Sequence, residues 1–277
     1  MISRSDCEYA LGYTIAEHER LIRQAELITP TTERLFRQAG IGPGPRVLDL
    51  GSGLGDVSMT AAKLVGACGE VVGIERDPGS IAKEKARVDT AGMRHVIFVQ
   101  GDVNDFVSEE RFDAAVGRFV LMFLPDPLSV LRLVSRLVRP GGVLAFQEPS
   151  WAGMLAMAAR VPLWSRVLQT IHETFLRAGI NPEMGIDLHC KFQELGFPAP
   201  KMHLDMFLGS DASLTDIMVD LLRSIRPLAL QHGAELAELG NFDTLRGRVH
   251  SEITTTRACG LCCTDCECLG PQSSLSP

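Results

Sequence analysis

The chain has 277 residues, 45% hydrophobic and 22% charged, the balance of a soluble globular protein and not of a disordered or fibrous one. A formal net charge of -7 without any long basic run lacks the electrostatic footprint of a phosphate-backbone binder, so nucleic acid is not an expected partner. The longest apolar stretches, 143–146 and 151–159, fall short of the roughly 20 residues of a membrane span, and the polar first residues lack the features of a secretion signal or transit peptide, so the expectation is a cytoplasmic protein with no membrane partner.

Residues 1–40 show helical periodicity: Leu21, Ile22, Ala25, Leu27 and Ile28 precede Thr29-Pro30, and Leu35, Phe36 and Ala39 follow it. Two short cap helices are predicted there. Tyr13 in this segment either lines a ligand site or belongs to an amphipathic helix that only buries Leu21 and Ile22. After the turn at Gly42 to Pro45 the pattern changes to short apolar runs alternating with helical stretches. Strands are predicted at Val47–Leu50, Val71–Ile74, Val96–Val99, Ala114–Val116 and Val143–Phe146, with helices at Val57–Val65, Ser80–Ala91 and Leu128–Val138. Strand and helix alternating at this interval specify a parallel sheet covered on both faces, a Rossmann-like, doubly wound α/β core over 41–150. Beyond Pro149 the alternation stops. A long helix from Met154 to Leu176, a short one from Leu188 to Leu195, a strand from Lys201 to Leu208 and a helix from Leu214 to Leu239 weakened by Pro227 read as a helical lid plus a late strand over 151–257.

Between the first strand and the first helix lies Asp49-Leu50-Gly51-Ser52-Gly53-Leu54-Gly55-Asp56. Glycines at that place let backbone pass close to a ligand at the carboxyl end of the strands. The dinucleotide fingerprint G-x-G-x-x-G does not fit, because Gly55 comes one position early and Asp56 stands where the third glycine belongs. Asp49 and Asp56 would repel a pyrophosphate, and no Gly-Lys-Ser/Thr follows, which excludes a P-loop. A phosphate-free ligand carrying positive charge suits the loop better.

These residues resemble the class I methyltransferases that use S-adenosyl-L-methionine, whose first motif is an acidic residue followed by G-x-G-x-G. Val72-Gly73-Ile74-Glu75-Arg76-Asp77 looks like the family's second strand ending in an acid, and Gln100-Gly101-Asp102-Val103 is similar to its third-strand motif. Phe112 to Arg118 looks like the fourth strand, and Leu137 to Gly142 like the turn before the fifth. The resemblance implies that Glu75, with Arg76 beside it, meets the cofactor's ribose hydroxyls, and that Asp102 meets the adenine amino group while the Val103 amide faces the ring. It also implies cofactor contacts for Asp49, Gly51, Ser52, Gly53 and Arg118, with Asp49 either near the methionine ammonium or scaffolding the loop. Asp56 and Asp77 read as a helix-start charge and a turn residue, and Asp102 itself has an alternative as a cap.

The function so implied is methyl transfer to a small organic acceptor by direct in-line displacement. The alternative keeps the fold and cofactor but runs a non-methylating reaction, or none. A sulfonium methyl is already electrophilic, so alignment and exclusion of water are the protein's tasks and a general base is optional. Weak catalytic candidates are Arg118, Glu148 and His172, with Trp151, Asp187 and His189 also near the expected site. The apolar series Met154, Leu155, Met157, Val161, Leu163 and Trp164 suits an apolar or aromatic acceptor and would equally serve as ordinary core.

Five of the eight cysteines, Cys259, Cys262, Cys263, Cys266 and Cys268, crowd into the tail over 258–277. The spacing resembles a thiolate zinc site, but five cysteines overfill one site and no histidine cluster frames it, so no metal is expected. The family's chain normally ends in an antiparallel strand beside the late strand, and the apolar sequence for it is missing here. Every cysteine codon read from its second base encodes Val or Ala. A single-base frame change near Thr256 would therefore turn an apolar strand into this atypical tail and leave the sheet short of a strand.

Overall fold

The computed structural model describes residues 12, 14–209, 212–258 and 260–271; Tyr13, Cys7 and Cys259 lie outside them. In chain order the elements are α1 (Ile15–Gln38), β1 (Arg46–Leu50), α2 (Asp56–Val65), β2 (Glu70–Glu75), α3 (Pro78–Thr90), β3 (Val96–Gln100), β4 (Phe112–Arg118), α4 (Pro127–Leu137), β5 (Val138–Pro149), α5 (Ala152–Ala158), α6 (Pro162–Arg177), α7 (Met184–Glu194), β6 (Lys201–Gly209), α8 (Ala212–Ser224), α9 (Arg226–Gln231), α10 (Phe242–Thr256) and β7 (Gly260–Pro271). The chain divides into two compact units, one of residues 1–24, 150–183 and 206–264, the other of 25–149, 184–205 and 265–277.

The strands form one sheet in the order β3-β2-β1-β4-β5-β7-β6, parallel from β3 through β5. The fold is therefore the Rossmann-like, mostly parallel arrangement that the alternation of elements specified. Chain order runs outward from β1 to β3 and then returns to β4 on the other flank of β1. The carboxyl ends of β1 and β4 thus flank the crevice where open α/β sheets receive ligands. Val47, Leu48 and Leu50 of β1 are fully buried, and Val47 packs with Ala61 and Val65 of α2 and Val71 of β2 in one continuous cluster. Burial on both faces is why these strands are short unbroken apolar runs and not alternating ones.

The structure corrects four expectations. The two predicted cap helices are one helix, α1, with Pro30 inside it. Pro30 removes one backbone donor, but the hydroxyls of Thr29, Thr31 and Thr32 bond to the carbonyls of Ala25 at 2.6 Å and Ile28 at 2.7 and 3.3 Å, and the completely buried Ile28 and Leu35 on either side hold the helix in place. The long helix predicted from Met154 to Leu176 is two, parted before Pro162, which opens α6. The helix predicted from Leu214 to Leu239 ends at Ser224; Pro227 sits in the first turn of α9, and Gly233 follows with a φ of 72°. α10 had no counterpart in the reading of the sequence, although Leu245, Val249 and Ile253, its buried residues, are spaced four apart. Its Glu252 accepts the amides of Leu163 and Trp164 at 3.0 Å each, supplying acceptors to the opening turn of α6.

The fourth correction concerns the tail. The strand judged missing is present as β7, antiparallel to β5, with Asp265–Pro271 opposite Val143–Pro149. Cys268 is fully buried opposite Phe146, as a small apolar side chain. Gly270 fits because a Cβ there would come within 2.3 Å of the Phe192 ring of α7. Glu267, fully buried opposite Gln147, has one carboxylate oxygen 3.0 Å from Arg34. Among the described residues no group of three or more His, Cys, Asp or Glu is placed to hold a metal ion, and no helix is long and apolar enough to cross a membrane.

β5 delivers Glu148, fully buried, to the turn after β4, where its carboxylate accepts the amides of Val120, Leu121 and Met122 at 3.0, 2.9 and 3.2 Å. Burial pushes its pKa up to about 7 against the opposing pull of those amides. Replacing Glu148 with Ala leaves three backbone donors without this acceptor. Glu148→Ala is expected to cost about 3 kcal/mol in urea unfolding, since buried unpaired donors are individually expensive; a loss below about 0.5 kcal/mol would contradict this role.

Candidate functional site

The loop joining β1 to α2 is built on three glycines in left-handed conformation, Gly51, Gly53 and Gly55, with φ of 64°, 60° and 82°. A side chain at Gly51 would also meet Val120, whose Cγ2 lies 2.8 Å from the position a Cβ would take. The loop is fastened to β2 by the Ser52 amide on the Ile74 carbonyl at 3.0 Å and closed on itself by the Gly55 amide on the Ser52 carbonyl at 2.8 Å.

Glu75, at the carboxyl end of β2, organises this region. One carboxylate oxygen accepts the Gly53 amide at 3.0 Å, and the other accepts the amides of Arg76 and Asp77 at 2.7 and 2.9 Å. A single half-buried carboxylate thus joins the glycine loop to the start of α3. Two oxygens offer about four acceptor positions, so three amides leave room for a ligand hydroxyl. Asp77 caps α3 through the Ser80 amide at 2.6 Å, and Asp56 pairs with Arg87 at 2.6 Å, the helix-start and turn duties expected of them.

One strand further, Asp102 follows β3. Its Oδ1 accepts the Asn104 amide at 2.8 Å and the Asn104 side chain at 2.7 Å, so Asp102 does cap the short helical turn at Val103–Asp105. Its Oδ2 lies 3.7 Å from Arg76. Val103 is buried beside it. Glu75, Arg76, Asp102 and the glycine loop therefore lie together at the carboxyl ends of neighbouring strands.

Asp49 and Ser52 are both buried. Asp49 accepts the Ser58 hydroxyl of α2 at 2.6 Å, and its other oxygen has no hydrogen-bond partner among the described residues. Burial pushes Asp49 up to about 7, opposed by the Ser58 hydrogen bond and the Arg118 charge. The Ser52 hydroxyl is buried against β2, where a Cβ on Gly73 would meet the Ser52 Cβ at 2.9 Å, so Ser52 contributes backbone to the loop and not an exposed side chain.

Arg118, at the end of β4, donates to Thr32 of α1 at 3.1 Å. Thr32 in turn meets the Gln147 side chain of β5 at 2.6 Å. Glu148 is occupied by backbone amides, a structural duty that its residue type did not signal. His172 and Trp151 belong to the other compact unit, where the His172 ring lies 3.8 Å from Glu183 and 6.2 Å from the Trp151 ring. Burial lowers the His172 pKa against the pull of Glu183 and Glu173, which favours a neutral imidazole. Glu183 also accepts the Ser150 hydroxyl at 2.9 Å and the Trp151 amide at 3.0 Å. Asp187 and His189 lie on α7. Of the apolar series, Met154, Val161 and Trp164 are buried and serve as core.

The donor set fits S-adenosylmethionine. Two partly exposed carboxylates end adjacent strands as acceptors for hydroxyl and amino groups, a glycine cradle gives close backbone approach, and the carboxylates beside the loop disfavour a pyrophosphate.

A family model described as a methyltransferase domain matches residues 41–179. An arsenite methyltransferase of Aquipseudomonas alcaligenes is 39% identical over 113 residues, covering 38% of this chain and 33% of that protein. A demethylmenaquinone methyltransferase of Staphylococcus aureus is 34% identical over 121 residues, covering 43% of this chain and 48% of that protein. The matches thus span half or less of the length of these relatives. Among solved structures, YjhP of Escherichia coli superposes with a TM-score of 0.53 at 19% identity, covering 96% of this chain and 95% of that one, a likeness of fold.

The hold of Glu75 on the loop can be tested without any ligand. In Glu75→Ala, hydrogen–deuterium exchange at Gly53, Arg76 and Asp77 is expected to quicken by about tenfold or more; unchanged protection at Gly53 would contradict the assignment.

Proposed function

The chain belongs to the methyltransferase domain family, and from that premise we propose that it moves a methyl group from S-adenosyl-L-methionine to a small organic acceptor by direct in-line displacement. The observation that carries the reading is Glu75: a carboxylate at the end of β2 that holds the glycine loop through Gly53 and stands one strand from Asp102.

When bound, the cofactor supplies an electrophilic methyl on a sulfonium. The chain's own residues bind and orient. Gly51 and Gly53 bring backbone close to the amino-acid portion. Glu75 accepts hydrogen bonds from the ribose hydroxyls while continuing to hold the loop. Asp102, already fixed by Asn104, receives the adenine amino group, and the Val103 amide faces the ring edge. Asp49 works from below, through Ser58, by fixing α2 against β1. Catalysis in this reading is positional: reacting atoms are held in line and water is kept away, and no proton transfer is required of an acceptor that is already a good nucleophile. Met154, Val161 and Trp164 are core, whereas Met157 of the same series is exposed; the acceptor class of this reading is a small organic molecule of apolar or aromatic character.

Calorimetric titration of S-adenosylhomocysteine into the wild type, Glu75→Ala and Asp102→Ala tests the cofactor site. Binding by the wild type that is lost in Glu75→Ala and strongly weakened in Asp102→Ala is the expected result. Wild-type affinity retained in both variants would overturn it. A screen with labelled methyl donor then tests the reaction: binding without transfer to any acceptor of the panel favours the non-methylating alternative.

A further inference from the structure

Beneath the glycine loop, on the side that α3 covers, lies a carboxylate that the reading above does not use. Glu84 projects from the second turn of α3 and is fully buried. Its Cβ stands 3.0 Å from where a Cβ on Gly55 would be, so Glu84 packs directly under the last glycine of the loop. Glu84 has the Ser52 hydroxyl as its hydrogen-bonding neighbour, in a contact outside ordinary hydrogen-bond geometry that leaves both carboxyl oxygens, and the Asp49 Oδ1 nearby, without a full partner among the described residues. Poorly satisfied polar atoms under one loop are costly in a protein interior.

Charged groups act on Glu84 from β1, from β2 and from its own helix. β1 presents Asp49 and β2 presents Glu75, both of which raise the cost of a second negative charge, and Lys85 on its own helix opposes them weakly. β3 offers only the ring of Phe98, which also touches Gly55. Arg87, one turn on along α3, is committed to the Asp56 carboxylate and the Leu54 carbonyl. α3 therefore grips the loop twice, by Arg87 at Leu54 and by Glu84 at Gly55, but only the first grip has its countercharge.

We propose that Glu84 is a positioning residue of the glycine loop that acts as a proton-operated latch: neutral, it packs under Gly55 and keeps the loop in its binding shape; ionised, it repels Asp49 and Glu75 and loosens the loop. Burial pushes the Glu84 carboxyl up to about 8, against the pull of the Ser52 hydroxyl. The sign follows from linkage. A carboxyl raised in the folded state favours the folded, protonated form, so its support is complete below the ordinary carboxylate range and is lost as pH rises through about 8. Cofactor affinity should then fall on the alkaline side. The inference rests on the cofactor reading for that last step only.

The test compares the wild type with Glu84→Gln, which keeps the shape and removes the charge. S-adenosylhomocysteine affinity of the wild type relative to Glu84→Gln is expected to drop on the order of tenfold between pH 7 and about pH 9.5; the ratio cancels titration of the ligand's own amine. Parallel profiles in the two proteins would overturn the latch. A second arm needs no cofactor: the amide resonances of Gly53 and Gly55 should titrate with a midpoint near 8 in the wild type and lose that step in Glu84→Gln, and loop resonances that move alike in the two proteins would overturn the proposal. Titrating loop amides in a wild type that binds no S-adenosylhomocysteine at any pH would sustain the latch and defeat the cofactor reading.

Discussion

The Glu75 carboxylate is the interaction on which the site depends. It stands where β2 ends, and its two oxygens take the Gly53 amide from one side and the Arg76 and Asp77 amides from the other. Without it, a loop of three left-handed glycines would have three more soft residues than its closure could fix, since glycine carries the largest backbone freedom to lose. With it, the loop, the end of β2 and the start of α3 are one hydrogen-bonded body. Three amides leave acceptor capacity on the carboxylate, which the proposed reading assigns to the ligand.

Around this contact the protein keeps an unusual number of buried acids. Asp49, Glu84, Glu148 and Glu267 are all fully buried, and burial raises the pKa of each. Their duties differ. Glu148 fixes the turn after β4 through backbone amides, Asp49 ties α2 to β1 through Ser58, and Glu267 meets Arg34 across the antiparallel end of the sheet. Glu84 has only the Ser52 hydroxyl to oppose its burial, without a full hydrogen bond to either oxygen among the described residues, and it lies directly under the glycine loop.

The parallel half of the sheet was legible because its strands are short, mostly apolar segments and three of them, β1, β2 and β4, lead into a helix before the next strand, and the loop chemistry of Gly51 to Gly55 had few alternative meanings. The late helices were legible as helices but not in their breaks: Pro162 and Pro227 each sit in the first turn of a new helix, where proline is tolerated, and periodicity alone does not separate that from an interrupted one. α1 went the other way: it runs through Pro30, with the buried Ile28 and Leu35 on either side holding it against the core. β7 was illegible because its side chains carry no apolar alternation; its place comes from pairing with β5, from the small buried Cys268 and from Gly270 yielding space to Phe192. The burial of Asp49 and Ser52 could not be read from motif spacing, which reports position along the chain but not depth. Glu84 gave no signal either, because one glutamate among the charges of an exposed-looking helix face is what a solvated helix also shows.

The central claim is that the loop held by Glu75 is where the cofactor binds. A crystal structure of the protein with S-adenosylhomocysteine tests it most directly. The account predicts the ribose hydroxyls on the Glu75 carboxylate, the adenine against Asp102 and Val103, and the Gly53 amide still on Glu75. A ligand bound away from Gly51 to Gly55, or a Glu75 carboxylate turned from the ribose, would contradict it.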